Sequence, residues 1–319
     1  MCSKNDSYCL DGHHTFEQWA WVGIDSFLFV LILCGNLFTV YVLTRSSKVI
    51  SNRFVLSLAI TDTLVGLTLP YHMAFTVFPQ LSVNKTTCLL RFVFVLLACC
   101  CSILNVTAIA IDRYLAIIHP FKYETLMTKR LVRRVLFFAF LCAILMSTVP
   151  IYWNNWDEAS VCELGQVLPR YYMTAVLLPA FLVIWAVMIV IYTRIWHEAV
   201  MQAEKLRRNN VFANCRPSFQ VVLLVMGCFT ACWLPFLAVT SAQAAGYRDH
   251  ISSSIYKAVL SLALSSSALN PLIYAWKNAE FKETVRVLLK CRDKKQLATV
   301  VTVAGSKNIS KGNPPQTPV

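Results

Sequence analysis

The sequence predicts an all-α membrane protein, a seven-transmembrane helix bundle followed by a short amphipathic eighth helix. Three observations predict this fold: 57% of the 319 residues are hydrophobic, only 14% are charged, and the apolar residues form seven long segments. A soluble domain carries about 25% charged residues, and a helix needs about 20 mostly apolar residues to cross a bilayer. Because backbone groups in hydrocarbon must bond within their own segment, each span is expected to be a helix.

The predicted spans, numbered 1 to 7 in chain order, cover residues 19–44, 53–78, 88–118, 131–153, 169–197, 217–243 and 252–276. Residues 1–18 form a polar segment without a cleavable signal peptide, so span 1 is expected to direct insertion. Residues 19–276 are the predicted membrane domain, residues 277–291 an amphipathic helix on the inner surface, and residues 292–319 a disordered tail.

Basic residues are distributed unequally between the two sides of the predicted bundle. Six of the 29 Lys and Arg residues lie on the side of the N-terminus, and the other 23 lie on the opposite side. Cytoplasmic loops carry the excess of basic residues, so the N-terminus is predicted to be extracellular. Glycosylation sequons at Asn5 and Asn84 fall on this outer side. The net charge of +13 therefore reflects topology and attraction to anionic lipid, not nucleic-acid binding.

The 13 cysteines do not indicate a disulfide scaffold or a metal site, because seven of them lie inside predicted spans. Cysteine acts there as a small hydrophobic residue. Cys88 and Cys162 lie at the outer end of span 3 and in the second outer loop, where disulfides persist. A bridge between them is expected to hold this loop over the bundle, whereas pairing of Cys2 with Cys9 stays open. Cys291 is a predicted palmitoylation site.

Polar side chains inside the spans predict a buried pocket at the centre of the bundle, because such groups are costly in a membrane. With Asn36, the residues assigned to it are Asp62, Ser102, Ser266 and Asn270. Their oxygens suit a small hard cation, an allosteric sodium ion, and a hydrogen-bonded network without an ion is the alternative. Pro235 and Pro271 are expected to kink spans 6 and 7. The sequence contains no catalytic motif, so it does not predict an enzyme.

Five motifs resemble, in order, those of rhodopsin-like (class A) G-protein-coupled receptors. They are GN at 35–36, LAITD at 58–62, DRY at 112–114, CWLP at 232–235 and NPLIY at 270–274. The resemblance implies a plasma-membrane receptor that binds a small extracellular ligand, activates a heterotrimeric G protein and changes cyclic AMP. Arrestin and membrane lipids are further implied partners. A transporter or channel is the alternative from another class, and it predicts internal repeats that the sequence lacks.

The same resemblance implies roles in coupling and switching for the matched residues. These residues are Asp112, Arg113, Tyr114, Tyr192, Trp233, Pro235, Asn270, Pro271 and Tyr274. Arg113 would pair with Asp112 at rest and turn toward the G protein on activation, and Trp233 would switch beneath the ligand. Cys215 stands where the family often has an acidic residue that restrains this arginine, so raised basal activity is expected.

The ligand is predicted from further likenesses and departures within the family. PIYWNNW and CELGQVLPRYYM are similar to stretches of adenosine receptors, so an adenosine-like nucleoside is the favoured ligand. Val95 stands where amine receptors have an aspartate, which argues against a biogenic amine. Leu164 and Thr240 replace purine-binding residues, so the alternative is an apolar or lipid ligand with constitutive activity. The predicted pocket comprises Val95, Leu96, Cys99, Leu164, Met173, Trp233, Thr240, Leu260 and Leu264.

Overall fold

The computed structural model describes residues 15–45, 52–157, 159, 162–208, 217–247, 251–277 and 281–288, and no residue in these ranges forms a β-strand. Seven helices are long and apolar enough to cross a membrane, which confirms the predicted bundle. Span 1 is Phe16–Arg45, span 2 Asn52–Val77, span 3 Lys85–Ile118, span 4 Lys129–Ser147 continued by Val149–Tyr152, span 5 the π-helical turn Tyr172–Leu177 continued by Leu178–Arg208, span 6 Pro217–Ala244 and span 7 Ser253–Lys277.

The helix ends agree with the predicted spans to within three residues, except at the end of span 5. This helix continues to Arg208, past its predicted end at residue 197. The extension, EAVMQAEKLRR, consists mainly of strong helix formers, so the helix persists after the apolar stretch has ended. Hydropathy detects only the apolar part. The hydropathy of the sequence also does not predict the short helices Pro120–Leu126 and Leu164–Val167 or the π-helical turn.

Span 3 is the centre of the bundle and packs against spans 2, 4, 5 and 6. Buried residues recur along its whole length, among them Cys99, Ile103 and Val106. Spans 4 and 5 pack mainly on span 3, and they expose large apolar side chains such as Leu145 (60%) and Val183 (63%). In a membrane protein such residues are expected to contact lipid. Span 3 is therefore the most enclosed of the seven spans.

Two glycines allow span 1 to approach its neighbours closely. A Cβ atom on Gly35 would lie 3.1 Å from Cγ of Pro271, and one on Gly66 would lie 3.0 Å from Cγ2 of Ile32. The close approach brings the Asn36 amide to the backbone of span 7, where Nδ2 donates to the carbonyl oxygen of Ser267 at 3.0 Å. The glycine of the GN motif thus places the asparagine that joins spans 1 and 7.

Three spans contain a proline in the interior of an α-helix, whereas Pro150 of span 4 and Pro179 of span 5 lie in the first turn of a helical segment. Pro235 and Pro271 lie inside spans 6 and 7, where the sequence predicts them, and Pro70 lies inside span 2. A proline within a helix removes one backbone hydrogen bond and weakens the helix locally. Spans 2, 6 and 7 therefore each contain a point at which the helix can bend.

A short helix at residues 281–288 follows span 7, within the range 277–291 predicted to be amphipathic. Phe281 is buried and packs edge to face on Phe38 of span 1, with ring centroids 6.1 Å apart. Val285 packs against the same core, whereas Arg286 is exposed and pairs with Glu283 at 3.4 Å. One face of this helix thus contacts the bundle and the other is polar.

Some predicted features lie outside the residues that the structure describes. They are the sequon at Asn5, the cysteines Cys2, Cys9, Cys215 and Cys291, and the tail 292–319. The second sequon residue, Asn84, is described and exposed, and its side-chain oxygen caps span 3 by accepting from the backbone amides of Thr86 and Thr87. Glycosylation of Asn84 stays a prediction.

A disulfide joins Cys88 of span 3 to Cys162 of the second outer loop, which confirms the predicted bridge. Both cysteines lie in a buried cluster with Trp156 and Val167, and the Asn155 amide donates to the Val167 carbonyl oxygen at 2.8 Å. We call the end of the bundle that carries this disulfide outer, and the opposite end inner. That the outer end faces the cell exterior stays a prediction.

Removing the disulfide is expected to destabilise the protein. The bridge closes a loop with a sequence separation of 74, for which chain entropy predicts a contribution of about 4 kcal/mol. We therefore expect Cys162→Ser to lower the thermal denaturation temperature of the purified protein and to expose the Cys88 thiol to labelling. The matched control is Cys34→Ser, which changes an exposed free cysteine of span 1. Equal stability of the two variants would contradict this prediction.

Candidate ligand cavity and switch residues

The DRY motif lies at the inner end of span 3, where Asp112 is fully buried. Arg113 donates to Oδ2 of Asp112 from Nε at 2.9 Å and from Nη2 at 2.5 Å. Tyr123, in the helix Pro120–Leu126, donates its hydroxyl to Oδ1 at 2.9 Å. Burial and the Asp112 carboxylate raise the pKa of Tyr123 above its usual value, so the phenol stays a donor at neutral pH. Both carboxylate oxygens of Asp112 thus accept hydrogen bonds, and the guanidinium group of Arg113 is held beside the carboxylate.

Tyr123 was not among the predicted switch residues. Its contact with Asp112 exists because the second inner loop folds back as a helix against span 3, and a single sequence does not show that return. Pro120 occupies the first turn of this helix, where a missing amide costs nothing. The IHP sequence after the DRY motif is the signal that could have located the helix start.

The other predicted inner switch residues are tyrosines on three different spans. Tyr114 packs edge to face on His119, with ring centroids 6.1 Å apart. Tyr192 of span 5 is partly buried against the core. Tyr274 of span 7 is buried, and its hydroxyl has no hydrogen-bond partner in the described part of the chain. Because an unpaired buried hydroxyl is unfavourable, Tyr274 gains from any rearrangement that offers it a partner.

At the middle of the bundle, the carboxylate of Asp62 is fully buried and joins spans 2, 3 and 7. Oδ1 accepts from the hydroxyls of Ser102 at 2.7 Å and Ser267 at 2.8 Å. Oδ2 accepts from Nδ2 of Asn270 at 2.7 Å. The predicted meeting of Asp62, Ser102 and Asn270 is therefore present in the structure.

Ser266, which was also predicted at this pocket, forms its hydrogen bonds with other groups than Asp62. Its hydroxyl donates to the Ala263 carbonyl oxygen at 2.7 Å and accepts from Nε1 of Trp233 at 3.1 Å. Ser267 instead of Ser266 donates the hydrogen bond to Asp62 from span 7. Successive residues of a helix point about 100° apart, so within the run of three serines the sequence does not decide which hydroxyl faces span 2.

A cavity of about 300 Å³ lies between spans 3, 4, 5 and 6 beneath the second outer loop. Six predicted pocket residues line it, namely Leu96, Cys99, Leu164, Met173, Trp233 and Thr240. None of the described residues that line the cavity carries a charge. The Thr240 hydroxyl donates to carbonyl oxygens of its own helix, those of Phe236 and Leu237. The cavity therefore offers a ligand mainly hydrocarbon and sulfur surface.

Three predicted pocket residues lie away from this cavity. Leu260 and Leu264 of span 7 are buried in the core, and Val95 of span 3 packs against that core. The cavity instead extends toward spans 4 and 5, where Cys142, Ala143 and Met146 form a wall that the sequence did not indicate. Spans 4 and 5 make few contacts with each other, and residues of both helices line this side of the cavity.

Trp233 connects the cavity to the polar centre of the bundle. Its ring stacks on Phe229 with centroids 5.6 Å apart and lies 5.7 Å from the ring of Phe181. Its indole nitrogen donates to Ser266, the neighbour of the serine that binds Asp62. A ligand that displaces this ring would therefore disturb span 7 one residue from the Asp62 network.

Comparison with known proteins places these features in a family. The family described as 7 transmembrane receptor (rhodopsin family) matches residues 35–274. The chain is 31% identical to the histamine H2 receptor of Cavia porcellus and 30% identical to that of Homo sapiens, covering 90% of this chain and 83% of each receptor. It is 30% identical to the D(1)-like dopamine receptor of Takifugu rubripes, covering 83% of this chain and 69% of that receptor.

These relatives bear on two sequence predictions. They are named for histamine and dopamine, so they do not support the favoured likeness to adenosine receptors. They are receptors, so they also do not support the alternative of a transporter or channel. The class predicted from the five motifs is confirmed, and the ligand must be argued from the cavity.

Proposed function

The chain belongs to the rhodopsin family of seven-transmembrane receptors, and on that premise we propose that it binds a small apolar molecule in the cavity above Trp233 and activates a heterotrimeric G protein. The observation that carries this proposal is the uncharged lining of a cavity of about 300 Å³. Ligand pockets begin at about this volume and are mostly apolar. The chain is accordingly a multi-pass membrane protein that acts as a receptor and not as an enzyme.

The cavity argues against the ligands for which the relatives are named. An ammonium ion buried in an apolar site needs a carboxylate partner, because an unpaired buried charge is costly. Val95 offers none, and no acidic residue lies among the described residues around the cavity. A nucleoside presents many hydrogen-bonding groups, and a cavity that leaves them unpaired discriminates against it strongly. The apolar or lipid ligand is therefore the better interpretation, and the nucleoside is not favoured.

The proposed mechanism is a shift between two packings of the bundle. A ligand that prefers one position of Trp233 stabilises the packing that contains it. The change would pass from Trp233 through Ser266 and Ser267 to Asp62, and along the proline-containing spans 6 and 7 to the inner end. There Arg113 would leave Asp112 and meet the G protein. Tyr192 and Tyr274 would then stabilise the new arrangement, which would satisfy the unpaired hydroxyl of Tyr274.

We further propose that the network around Asp62 holds a sodium ion in the resting state. A single buried carboxylate with hydroxyl and amide oxygens suits a hard monovalent cation. In the described chain no group of three His, Cys, Asp or Glu residues could hold a metal ion, which argues against a transition metal. Asp62, Ser102, Ser267 and Asn270 would hold the ion. Bound sodium would neutralise the carboxylate and favour the resting packing. The alternative is a hydrogen-bonded network without an ion, and a protein that does not respond to sodium would establish it.

Other predicted interactions stay proposals. Arrestin would use the same inner surface as the G protein, around Arg113 and the helix at residues 281–288. Membrane lipids would contact the exposed apolar faces of spans 4 and 5. An extracellular N-terminus, glycans at Asn5 and Asn84 and palmitate on Cys291 follow from the sequence argument alone.

Filling the cavity is expected to weaken the ligand response and to leave the protein folded. Cys100 lines the cavity and is partly exposed within it, so Cys100→Trp would occupy the space. We expect this variant to lower the potency of an apolar agonist at least tenfold in a G-protein activation assay. Candidate agonists are uncharged single-chain alcohols and amides of 8–18 carbons, tested beside adenosine, histamine and dopamine.

The control for this experiment is Cys34→Trp, which adds the same bulk on an exposed face of span 1. Basal activity and cell-surface level are expected to match the parent protein in both variants. A response to adenosine or to an amine that Cys100→Trp leaves unchanged would overturn the proposed cavity as the ligand site.

A further inference from the structure

We propose that the inner end of span 4 binds the headgroup of a polyphosphorylated inositol lipid, phosphatidylinositol bisphosphate. Four basic side chains form the site, and we call them the span 4 basic face: Lys129, Arg130, Arg133 and Arg134. None of them lines the ligand cavity. The site therefore goes beyond the proposed function, which concerns the cavity and the G protein.

The four side chains of the span 4 basic face are all exposed, and no described Asp or Glu forms an ion pair with any of them. Lys129 lies four residues before Arg133, and Arg130 four residues before Arg134, a spacing at which like charges destabilise a helix. The positive end of the helix dipole favours acidic residues, yet the first turn of span 4 contains none. A bound anion would offset both unfavourable effects.

The same helix face continues from the cations into an apolar surface. Arg130, Arg133, Arg134 and Phe137 follow the spacing of one helical stripe, and Phe137 is 70% exposed. On the opposite side, Val132 is fully buried in the core. An exposed apolar side chain on a span is expected to contact lipid, and Arg134 precedes Phe137 by less than one turn. The face that meets hydrocarbon at Phe137 is therefore expected to meet lipid headgroups at the arginines.

The number and type of the basic side chains indicate which headgroup fits. Arginine binds phosphate through two parallel hydrogen bonds, and four or more basic residues next to the cytoplasmic end of a span are typical of sites for anionic lipid. A phosphate monoester carries a charge of about −1.5 to −2 at pH 7, so the two monoesters of a bisphosphate headgroup carry about −3 to −4. This charge matches four cations, whereas phosphatidylserine has a single net negative charge and would leave most of them unpaired.

The span 4 basic face adjoins the loop that carries Tyr123. Thr128 caps span 4, with its hydroxyl oxygen accepting from the Leu131 amide at 3.2 Å, and Met127 before it is buried in the core. A lipid bound at the first two turns of span 4 would therefore hold the junction between this span and the helix Pro120–Leu126. Because a ligand that binds only the folded protein stabilises it, phosphatidylinositol bisphosphate is expected to raise the thermal denaturation temperature.

Competition binding tests this site with the purified full-length protein in detergent micelles. A fluorescent phosphatidylinositol bisphosphate is bound first, and its fluorescence anisotropy is followed as unlabelled competitors are added. The competitors are phosphatidylinositol bisphosphate, phosphatidylserine and free inositol trisphosphate. We expect phosphatidylserine to compete at least tenfold more weakly because it carries less charge. Inositol trisphosphate is expected to compete at least tenfold more weakly because it has no acyl chains to lie against Phe137.

Two triple variants with the same loss of charge test the location. The first combines Arg130→Gln, Arg133→Gln and Arg134→Gln, and it is expected to weaken binding of the fluorescent lipid at least tenfold.

The matched control combines Arg45→Gln, Arg194→Gln and Arg286→Gln, which change three exposed arginines dispersed over span 1, span 5 and the helix at residues 281–288. This control is expected to bind within twofold of the parent protein. If the first triple variant does not fold, Arg133→Gln and Arg134→Gln are tested singly, and each is expected to weaken binding at least threefold.

Three results would overturn the proposed site. Equal weakening in the two triple variants would show attraction to the overall positive charge and not to the span 4 basic face. Equal competition by phosphatidylserine would contradict the assigned headgroup, and equal competition by inositol trisphosphate would contradict a lipid as its source. None of these measurements uses a G protein or an agonist, so they do not depend on the outcome for the proposed function.

Discussion

Asp112→Asn is expected to raise ligand-independent activation of the G protein by about tenfold. The carboxylate of Asp112 is fully buried and accepts two hydrogen bonds from Arg113 and one from Tyr123. Hydrogen bonds to charged groups contribute about 1.5–3 kcal/mol, and about 1.4 kcal/mol changes an equilibrium tenfold. The neutral amide keeps an acceptor for Arg113 but loses the charge, so the resting packing loses part of this free energy and the active packing becomes more populated.

Two further variants define the cause. Tyr123→Phe removes one donor to Asp112 and leaves its charge pair with Arg113, so a smaller rise in basal activity is expected. Glu283→Gln removes an exposed carboxylate near the same inner surface and is expected to have no effect. The measurement is nucleotide exchange by purified G protein, normalised to the amount of folded receptor. Unchanged basal exchange in Asp112→Asn would show that this ion pair does not restrain the receptor.

Asp62→Ala is expected to cause the largest loss of stability and to remove any sensitivity to sodium. Three donors from Ser102, Ser267 and Asn270 would lose their acceptor in a dry interior. Each buried donor that is left without an acceptor costs about 1–3 kcal/mol. Asp62→Asn keeps the shape but places an amide donor among donors, so its destabilisation is expected to be smaller while the sodium effect is still lost.

The sodium effect is measured by replacing potassium with sodium at constant ionic strength. In the parent protein, sodium is expected to raise the thermal denaturation temperature and to lower basal nucleotide exchange. The control is Asp25→Asn, which alters another buried aspartate, one that accepts from Ser261 of span 7 at 3.1 Å. Asp25→Asn is expected to retain the sodium effect. A sodium effect that persists in Asp62→Asn would place the ion elsewhere.

The spans could be predicted from the sequence because hydrophobicity over about 20 residues is a strong signal that does not depend on tertiary contacts. The same signal ends where the chain leaves the membrane, so it could not show that span 5 continues to Arg208. The Cys88–Cys162 bridge could be predicted because the predicted topology placed both cysteines at the same end of the bundle, on the side expected to be oxidising.

The sequence motifs predicted which residues of each helix belong to the candidate site, but they did not predict how the helices are rotated and spaced relative to one another. Asp62 and Asn270 were assigned correctly to one network, but Ser267 was confused with Ser266 because the choice depends on the rotation of span 7. Tyr123 was not predicted because a returning loop brings it to Asp112. The wall formed by Cys142 and its neighbours was not predicted because it depends on how far span 4 lies from span 5.

The central claim, that this chain is a receptor that activates a heterotrimeric G protein, is tested most directly by nucleotide exchange. The purified protein is placed in lipid nanodiscs with a purified heterotrimeric G protein, and guanine nucleotide exchange is compared with that in empty nanodiscs. The account predicts faster exchange with the parent protein than with empty nanodiscs, and a return to the empty rate with Arg113→Ala. Exchange that is no faster than in empty nanodiscs with any single-chain lipid added, or that Arg113→Ala leaves unchanged, would contradict it.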